Sequence, residues 1–123
     1  LDVGCGTGGT LDRLRKHGNV TGLDTEPLAL SFCRERGYSD LVEASATALP
    51  FAENSFEAAV ALDVLEHIPD DSTAAKEIVR VLKPGGMLYV TVPAYRSLWS
   101  AHDVALMHER RYVAREIRNL LSG

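Results

Sequence analysis

Along this chain, short apolar runs of strand type alternate with segments whose apolar residues recur at helical spacing. Leu1 and Val3 flank Asp2 as the end of a buried strand, and a glycine-dense turn follows. Thr10 to Lys16 then carries apolar residues at helical spacing, and Gly18 ends that helix. The run 20–23 reads as a second short strand closing on Asp24. Pro27 to Arg36 predicts a helix with Leu28, Ala29, Phe32 and Cys33 on its apolar face, stopped by Gly37. Residues 41–43 predict a third strand, and residues 56–62 are apolar enough for a central buried one. Asp70-Asp71-Ser72 caps a helix with Ala75, Ile78, Val79 and Leu82 at i, i+3, i+4 and i+7. Lys83-Pro84-Gly85-Gly86 stops it, and residues 87–92 form a fifth, β-rich strand. After Pro93 the period is lost in an aromatic and polar stretch. Val113 to Leu121 then predicts a last helix with Ala114, Ile117, Leu120 and Leu121 apolar.

Strands alternating with helices predict the α/β class, with a doubly wound and mostly parallel sheet. The 123 residues suit one domain, with its core over 1–93 and a lid or acceptor segment over 94–123. The chain opens inside its first strand and not on Met, so the sheet is expected to be incomplete at both ends. A net charge of −4 argues against a nucleic-acid partner, because phosphate binding needs clustered Lys and Arg. The basic runs at 13–17 and at Arg110-Arg111 read as solvated faces. No apolar stretch approaches the ~18 residues of a membrane-spanning helix, so no membrane partner is expected. No signal-peptide pattern opens the chain. Cys5 and Cys33 are too few and too scattered for a disulfide framework or a metal knuckle. A reduced, cytoplasmic setting follows.

Chemistry concentrates at the ends of the strands. Gly4, Gly6, Gly8 and Gly9 crowd the turn between the first strand and the first helix. Glycine reaches φ > 0 without penalty there and lets a ligand lie against bare backbone. Asp24 follows about twenty residues later, placed to accept hydrogen bonds from the two ribose hydroxyls of an adenosine ligand. It also suits a helix cap, ahead of Thr25-Glu26-Pro27. His67 borders the same crevice and is able to titrate near neutral pH, or its ring is satisfied by loop backbone.

Several linked motifs sharpen this. Asp2 precedes the glycines in a D-x-G-x-G-x-G pattern; S-A-T-A-L-P-F runs from Ser45 to Phe51, followed by S-F-E at 55–57. L-E-H-I spans 65–68, and E-I-V-R-V-L-K-P-G-G spans 77–86. From Leu1 to about Pro93 the chain resembles the small-molecule branch of class I S-adenosylmethionine-dependent methyltransferases. The resemblance implies a Rossmann-like methyltransferase fold, S-adenosyl-L-methionine as cofactor and a small-molecule methyl acceptor. It assigns cofactor contacts to Asp2, Gly4, Cys5, Gly6 and Gly8 in the turn. It adds Asp24 and Thr25 after the second strand, Ser45, Ala46 and Thr47 in the third loop, and Leu62 ending the fourth strand. Ser45 departs from the family's aspartate at that position, and Glu57 from its aspartate after the phenylalanine. No D-P-P-Y or N-P-P-Y run follows the fourth strand, which argues against base methylation of DNA.

The segment after the fifth strand rises on the ligand side of such a sheet, where it would cover the acceptor. Tyr95, Trp99, Asp103, Arg111 and Tyr112 are the candidates to line an acceptor pocket, against the alternative of ordinary lid packing. Methyl transfer from a sulfonium needs alignment more than acid–base help. A base is required only for a protonated acceptor, and His67, His102 and His108 are the candidates. No metal is expected: His102, Asp103 and His108 are irregularly spaced for ligands. Two other readings stay open. Gly4, Gly6, Gly9 and Asp24 also fit a nicotinamide-dependent oxidoreductase, and the Ser45 departure leaves room for a non-catalytic cofactor-binding module.

Overall fold

The computed structural model of the chain describes residues 1–122. Gly123, the last residue of the expected lid segment, lies outside the described residues. Five strands form one sheet in the order β3-β2-β1-β4-β5, and every pairing is parallel. They are β1 (Asp2–Val3), β2 (Gly22–Asp24), β3 (Leu41–Glu43), β4 (Phe56–Leu62) and β5 (Leu82–Thr91). Helices α1 (Gly9–Leu14), α2 (Pro27–Glu35) and α3 (Asp71–Val81) connect them. The order reverses beside β1, whose Val3 lies opposite Leu23 on one side and Ala61 on the other. At such a reversal the connections leave in opposite directions, and a crevice opens beyond the carboxyl ends of the strands.

Two buried clusters lie on opposite faces of the sheet. A side chain at Gly22 would run into Leu41, Cys5 and Leu11, so this position faces the cluster of Cys5, Leu11, Leu30 and Cys33. Its neighbour Leu23 points the other way, as alternation along a strand requires, into the cluster with Ile78, Val81 and Leu65. The second helix buries Leu30 and Cys33, whereas Leu28 and Phe32, expected on its apolar face, are exposed. The third helix buries Ala74, Ala75, Ile78 and Val81 and leaves Val79 at the surface. In both helices the face is rotated from the expected one, because packing against the sheet selects which of several near-equivalent stripes turns inward.

Leu82 also moves. Expected at the end of the third helix, it opens β5 instead and pairs with Phe56, while Met87 pairs with Ala58. Lys83–Gly86 therefore fall in a register irregularity, where Lys83 pairs with Glu57. The loop before β4 is pinned to α3 by two side chains. Arg80 donates to the carbonyls of Phe51 and Leu49 at 2.8 and 3.0 Å, and Glu77 accepts from the Leu49 amide at 2.9 Å.

Residues 93–122 hold more order than their lack of period predicts. A helix α4 (Ala101–Ala105) and a helix α5 (Ala114–Ser122) lie within them. Ser100 and Asp103 form a capping box at the start of α4, and its signature stands in the sequence as S-A-H-D. Apolar contact is modest: Ile117 and Leu120 of α5 reach the main cluster. Polar anchors supplement it. The Tyr112 hydroxyl, buried, donates to Asp71 at 2.9 Å, and Arg110 pairs with the same carboxylate. Asp103, fully buried, accepts from Arg111 at 2.7 and 2.9 Å, which holds its carboxyl well below the usual range. Tyr112→Phe removes a buried hydrogen bond while Asp71 keeps Arg110, so denaturant unfolding should show a loss of about 1 kcal/mol. A midpoint and slope equal to the wild type would mean that this bond does not anchor the segment.

Candidate functional site

Beyond the carboxyl ends of β1 to β4 lies a cavity of about 580 Å³. Each wall comes from a strand end or the turn after it: Val3 and Gly4, then Leu23, Asp24 and Thr25. Ala44 to Thr47 follow, and Asp63, Val64 and His67 to Asp70 close the far side. The glycine turn takes its shape from three left-handed residues, Gly4, Gly6 and Gly8, at φ of 73°, 53° and 96°. The position of a Cβ on Gly6 is open space, so the backbone there is bare toward anything that approaches.

Asp24 joins two parts of the site. Its Oδ2 accepts from the Gly6 amide at 2.9 Å and its Oδ1 from the Glu26 amide at 3.0 Å. The cap of the second helix is Glu26, without a side-chain bond, so Asp24 closes the turn ahead of the helix and does not cap it; each of its carboxylate oxygens keeps a further lone pair for a ligand. Cys33, on the opposite wall of the turn, donates its thiol to the Gly6 carbonyl at 3.2 Å. Ser45 faces the cavity and is paired locally with Thr47, hydroxyl to hydroxyl at 2.7 Å. Asp63 sits in the left-handed region at φ 53°, tied to Thr91 through its amide and carboxylate. Aspartate enters this region more readily than most residues, and the Thr91 contacts hold it there on the cavity wall.

Of the residues named from motifs, Gly4, Asp24, Thr25, Ser45, Ala46, Thr47 and His67 surround this cavity. Asp2, Cys5, Gly6, Gly8 and Leu62 are not on its wall: Cys5 is buried in the cluster with Leu11, and Leu62 is exposed at the last position of β4. Asp2 is buried beneath the turn, and its Oδ2 has no partner. Val3, Leu23, Ala44 and Asp70 line the cavity without a motif to announce them. The lid candidates divide. Tyr95 and Trp99 are exposed, whereas Asp103, Arg111 and Tyr112 are taken up by the anchoring contacts of the segment. None of the five is on the cavity wall. His102 is exposed on α4, away from His108, whose Nδ1 lies 2.9 Å from Asp103. His108 instead stacks edge-on to His67, with ring centroids 4.9 Å apart.

Comparison with known proteins fixes what kind of domain this is. The family described as "Methyltransferase domain" matches residues 1–90 of the 123. The chain belongs to that family. Cycloartenol-C-24-methyltransferase 1 of Oryza sativa subsp. japonica is 39% identical over 94 residues, covering 69% of this chain and 27% of the relative. Demethylmenaquinone methyltransferase of Staphylococcus haemolyticus is 36% identical over 116 residues, covering 83% and 48%. Among solved structures, the [4+2]-cyclase SpnF superposes with a TM-score of 0.80 at 32% identity, covering 98% of this chain and 48% of SpnF. The methyltransferase domain described here spans between about a quarter and a half of these relatives.

S-adenosylmethionine is the cofactor of this family, and the residues present fit it. Asp24 and Thr25, on the cavity wall, would hold the adenosine end, and the bare backbone at Gly6 would allow close approach. The orphaned Oδ2 of Asp2 suits the cationic methionine end of the molecule.

Burial pushes the Asp2 carboxyl up to about 7, with Asp24 adding. Below about pH 4 this group is protonated whether folded or not; between there and 7 only the folded chain keeps the proton. Its contribution to stability is thus full in acid and is lost as pH rises through 7. Unfolding free energies measured from pH 4 to 7.5 should fall by up to about 1.4 kcal/mol per pH unit from this group, and Asp2→Asn should flatten the slope. Parallel profiles for the two proteins would show that burial does not perturb this carboxyl.

Proposed function

We propose that the domain transfers the methyl group of S-adenosylmethionine to a small organic acceptor. The observation that carries this is the placement of Gly4, Asp24 and Ser45–Thr47 around one cavity in a chain of the methyltransferase family. Relatives named for methylating cycloartenol and demethylmenaquinone support a small-molecule acceptor. The acidic net charge speaks against a nucleic-acid surface. No helix among the described residues is long and apolar enough to cross a membrane. Cys5 and Cys33 are free thiols, in keeping with a reducing cytoplasm.

The reaction is an in-line displacement at a methyl carbon already activated by its sulfonium, so the protein's work is to align the acceptor and exclude water. Asp24 and the glycine turn hold the nucleoside end, and Asp2, buried beneath that turn, faces the methionine end by charge and not by contact. His67, exposed on the cavity wall, is placed to take a proton from an acceptor that arrives protonated. Tyr95 and Trp99, exposed on the segment after β5, are its side chains left free to meet an acceptor. His108 supports His67 from the same segment.

A nicotinamide dehydrogenase has less support, since the match over residues 1–90 is to methyltransferases. The likeness to SpnF, named as a cyclase, leaves the fold alone insufficient to decide the reaction. Transfer of a labelled methyl group from S-adenosylmethionine to members of a metabolite panel, with NAD as the competing ligand, decides it. Turnover inhibited by S-adenosylhomocysteine and indifferent to NAD is expected; cofactor binding without turnover on any acceptor would favour a binding module. By calorimetry, Asp24→Ala should weaken S-adenosylhomocysteine binding by about 1.5–3 kcal/mol, the worth of hydrogen bonds to a charged group. Unchanged affinity in a folded variant would remove Asp24 from the nucleoside end.

A further inference from the structure

Three side chains able to bind a metal meet where residues 94–122 pack against the turn after β4. The carboxylate of Glu66 and the imidazoles of His67 and His108 each place one donor atom within 4.8 Å of the others. The two rings stand at 69° to each other. Glu66 is 0% exposed, and neither of its carboxylate oxygens has a hydrogen-bond partner. A buried carboxylate without partners is costly, and a bound cation is an ordinary remedy.

His108 is already oriented. Its Nδ1 faces Asp103, and Asp103 is held by a two-point contact from Arg111. A carboxylate on one ring nitrogen sets the tautomer that leaves the lone pair of the other nitrogen for a metal. The backbone keeps the two halves together, because the Glu109 amide donates to the Glu66 carbonyl at 2.7 Å. His67 is exposed and free to swing by the small distance that bonds of about 2.0–2.2 Å demand.

We propose that Glu66, His67 and His108 bind one divalent first-row transition metal ion at the rim of the cavity. Two imidazoles and one carboxylate suit zinc, cobalt or ferrous iron and disfavour the oxygen-seeking calcium and magnesium. Three protein ligands leave coordination positions open, and His67 also lines the cavity, so the open side takes an oxygen of the acceptor. That role rests on the methyl-transfer reading; the metal site does not. A hydroxyl bound there releases its proton to solvent more readily, so with the metal in place His67 serves as a ligand and not as the base. Its oxygen then forms the bond to the methyl carbon as the carbon–sulfur bond breaks, leaving S-adenosylhomocysteine.

The test uses full-length protein treated with EDTA, dialysed and titrated with Co²⁺. One equivalent should bind with visible ligand-field bands that Zn²⁺ abolishes. Glu66→Gln and His108→Gln should each weaken Co²⁺ binding about tenfold or more, and Asp103→Asn, acting through His108, by roughly 10–100-fold. His102→Ala, at the exposed histidine of α4, should change it by less than about twofold, as expected of a site that shares no partners. If Glu66→Gln fails to fold, His67→Ala at its exposed position supplies the same readout. Acetohydroxamate, a small oxygen-donor chelate, should then shift the cobalt bands.

Absence of stoichiometric Co²⁺ binding, or binding unchanged in the ligand variants, overturns the site. Bands indifferent to acetohydroxamate overturn its role toward the acceptor. S-adenosylhomocysteine affinity measured on the same samples separates the two readings: cofactor binding without cobalt binding removes this inference and leaves methyl transfer standing.

Discussion

The amide of Gly6 reaching the carboxylate of Asp24 is the contact around which the site is arranged. It ties the turn after β1 to the end of β2, two elements that the sheet places side by side but that loop chemistry alone would leave free. With Cys33 held on the carbonyl of the same glycine, both polar backbone groups of Gly6 are occupied from opposite walls. The turn therefore keeps its left-handed course without a ligand to organise it. That is preorganisation in the useful sense: ordering entropy is met on folding and not at binding. Asp24 holds the turn and the start of the next helix together, so any change there acts on both.

A second polar centre does for residues 94–122 what an apolar stripe does elsewhere. Asp103 is buried, but Arg111, His108 and the Ser100 amide satisfy it. Its ionised form is favoured on folding, so its share of stability is present above the ordinary carboxylate value and fails as pH falls. Asp2 has the opposite sign, being buried without a partner. The two carboxylates thus differ through their surroundings and not their chemistry: one meets a guanidinium, the other is buried with an oxygen left unpaired.

The cavity and the turn at 65–67 share His67, which joins the cofactor side of the molecule to the segment after β5. Glu109 and Arg110 complete that junction through the carbonyls of Glu66 and Pro69. The segment is thereby attached to the wall of the cavity more than draped over its mouth. Tyr95 and Trp99 stay exposed on it.

Much of this was open to reading from residues alone, wherever backbone chemistry is local. Glycines that must turn left-handed, a proline that stops a helix and apolar runs of strand length mark the same alternation in any context. Those rules suffice for the α/β class and for the strand ends that carry Gly4, Asp24 and Ser45 to Thr47. Tertiary structure decided what depends on partners distant in sequence. Leu82 left its helix because Phe56 offers it a strand partner, and Leu28, Phe32 and Val79 stay outside because other stripes of the same helices fit the sheet better. Asp103, Arg111 and Tyr112 look like a pocket lining by composition, yet they are consumed in holding their own segment. Glu66 gave no signal beyond one letter in L-E-H-I. Only the fold, bringing His108 across some forty residues, turns a buried glutamate and two histidines into a set of facing donors.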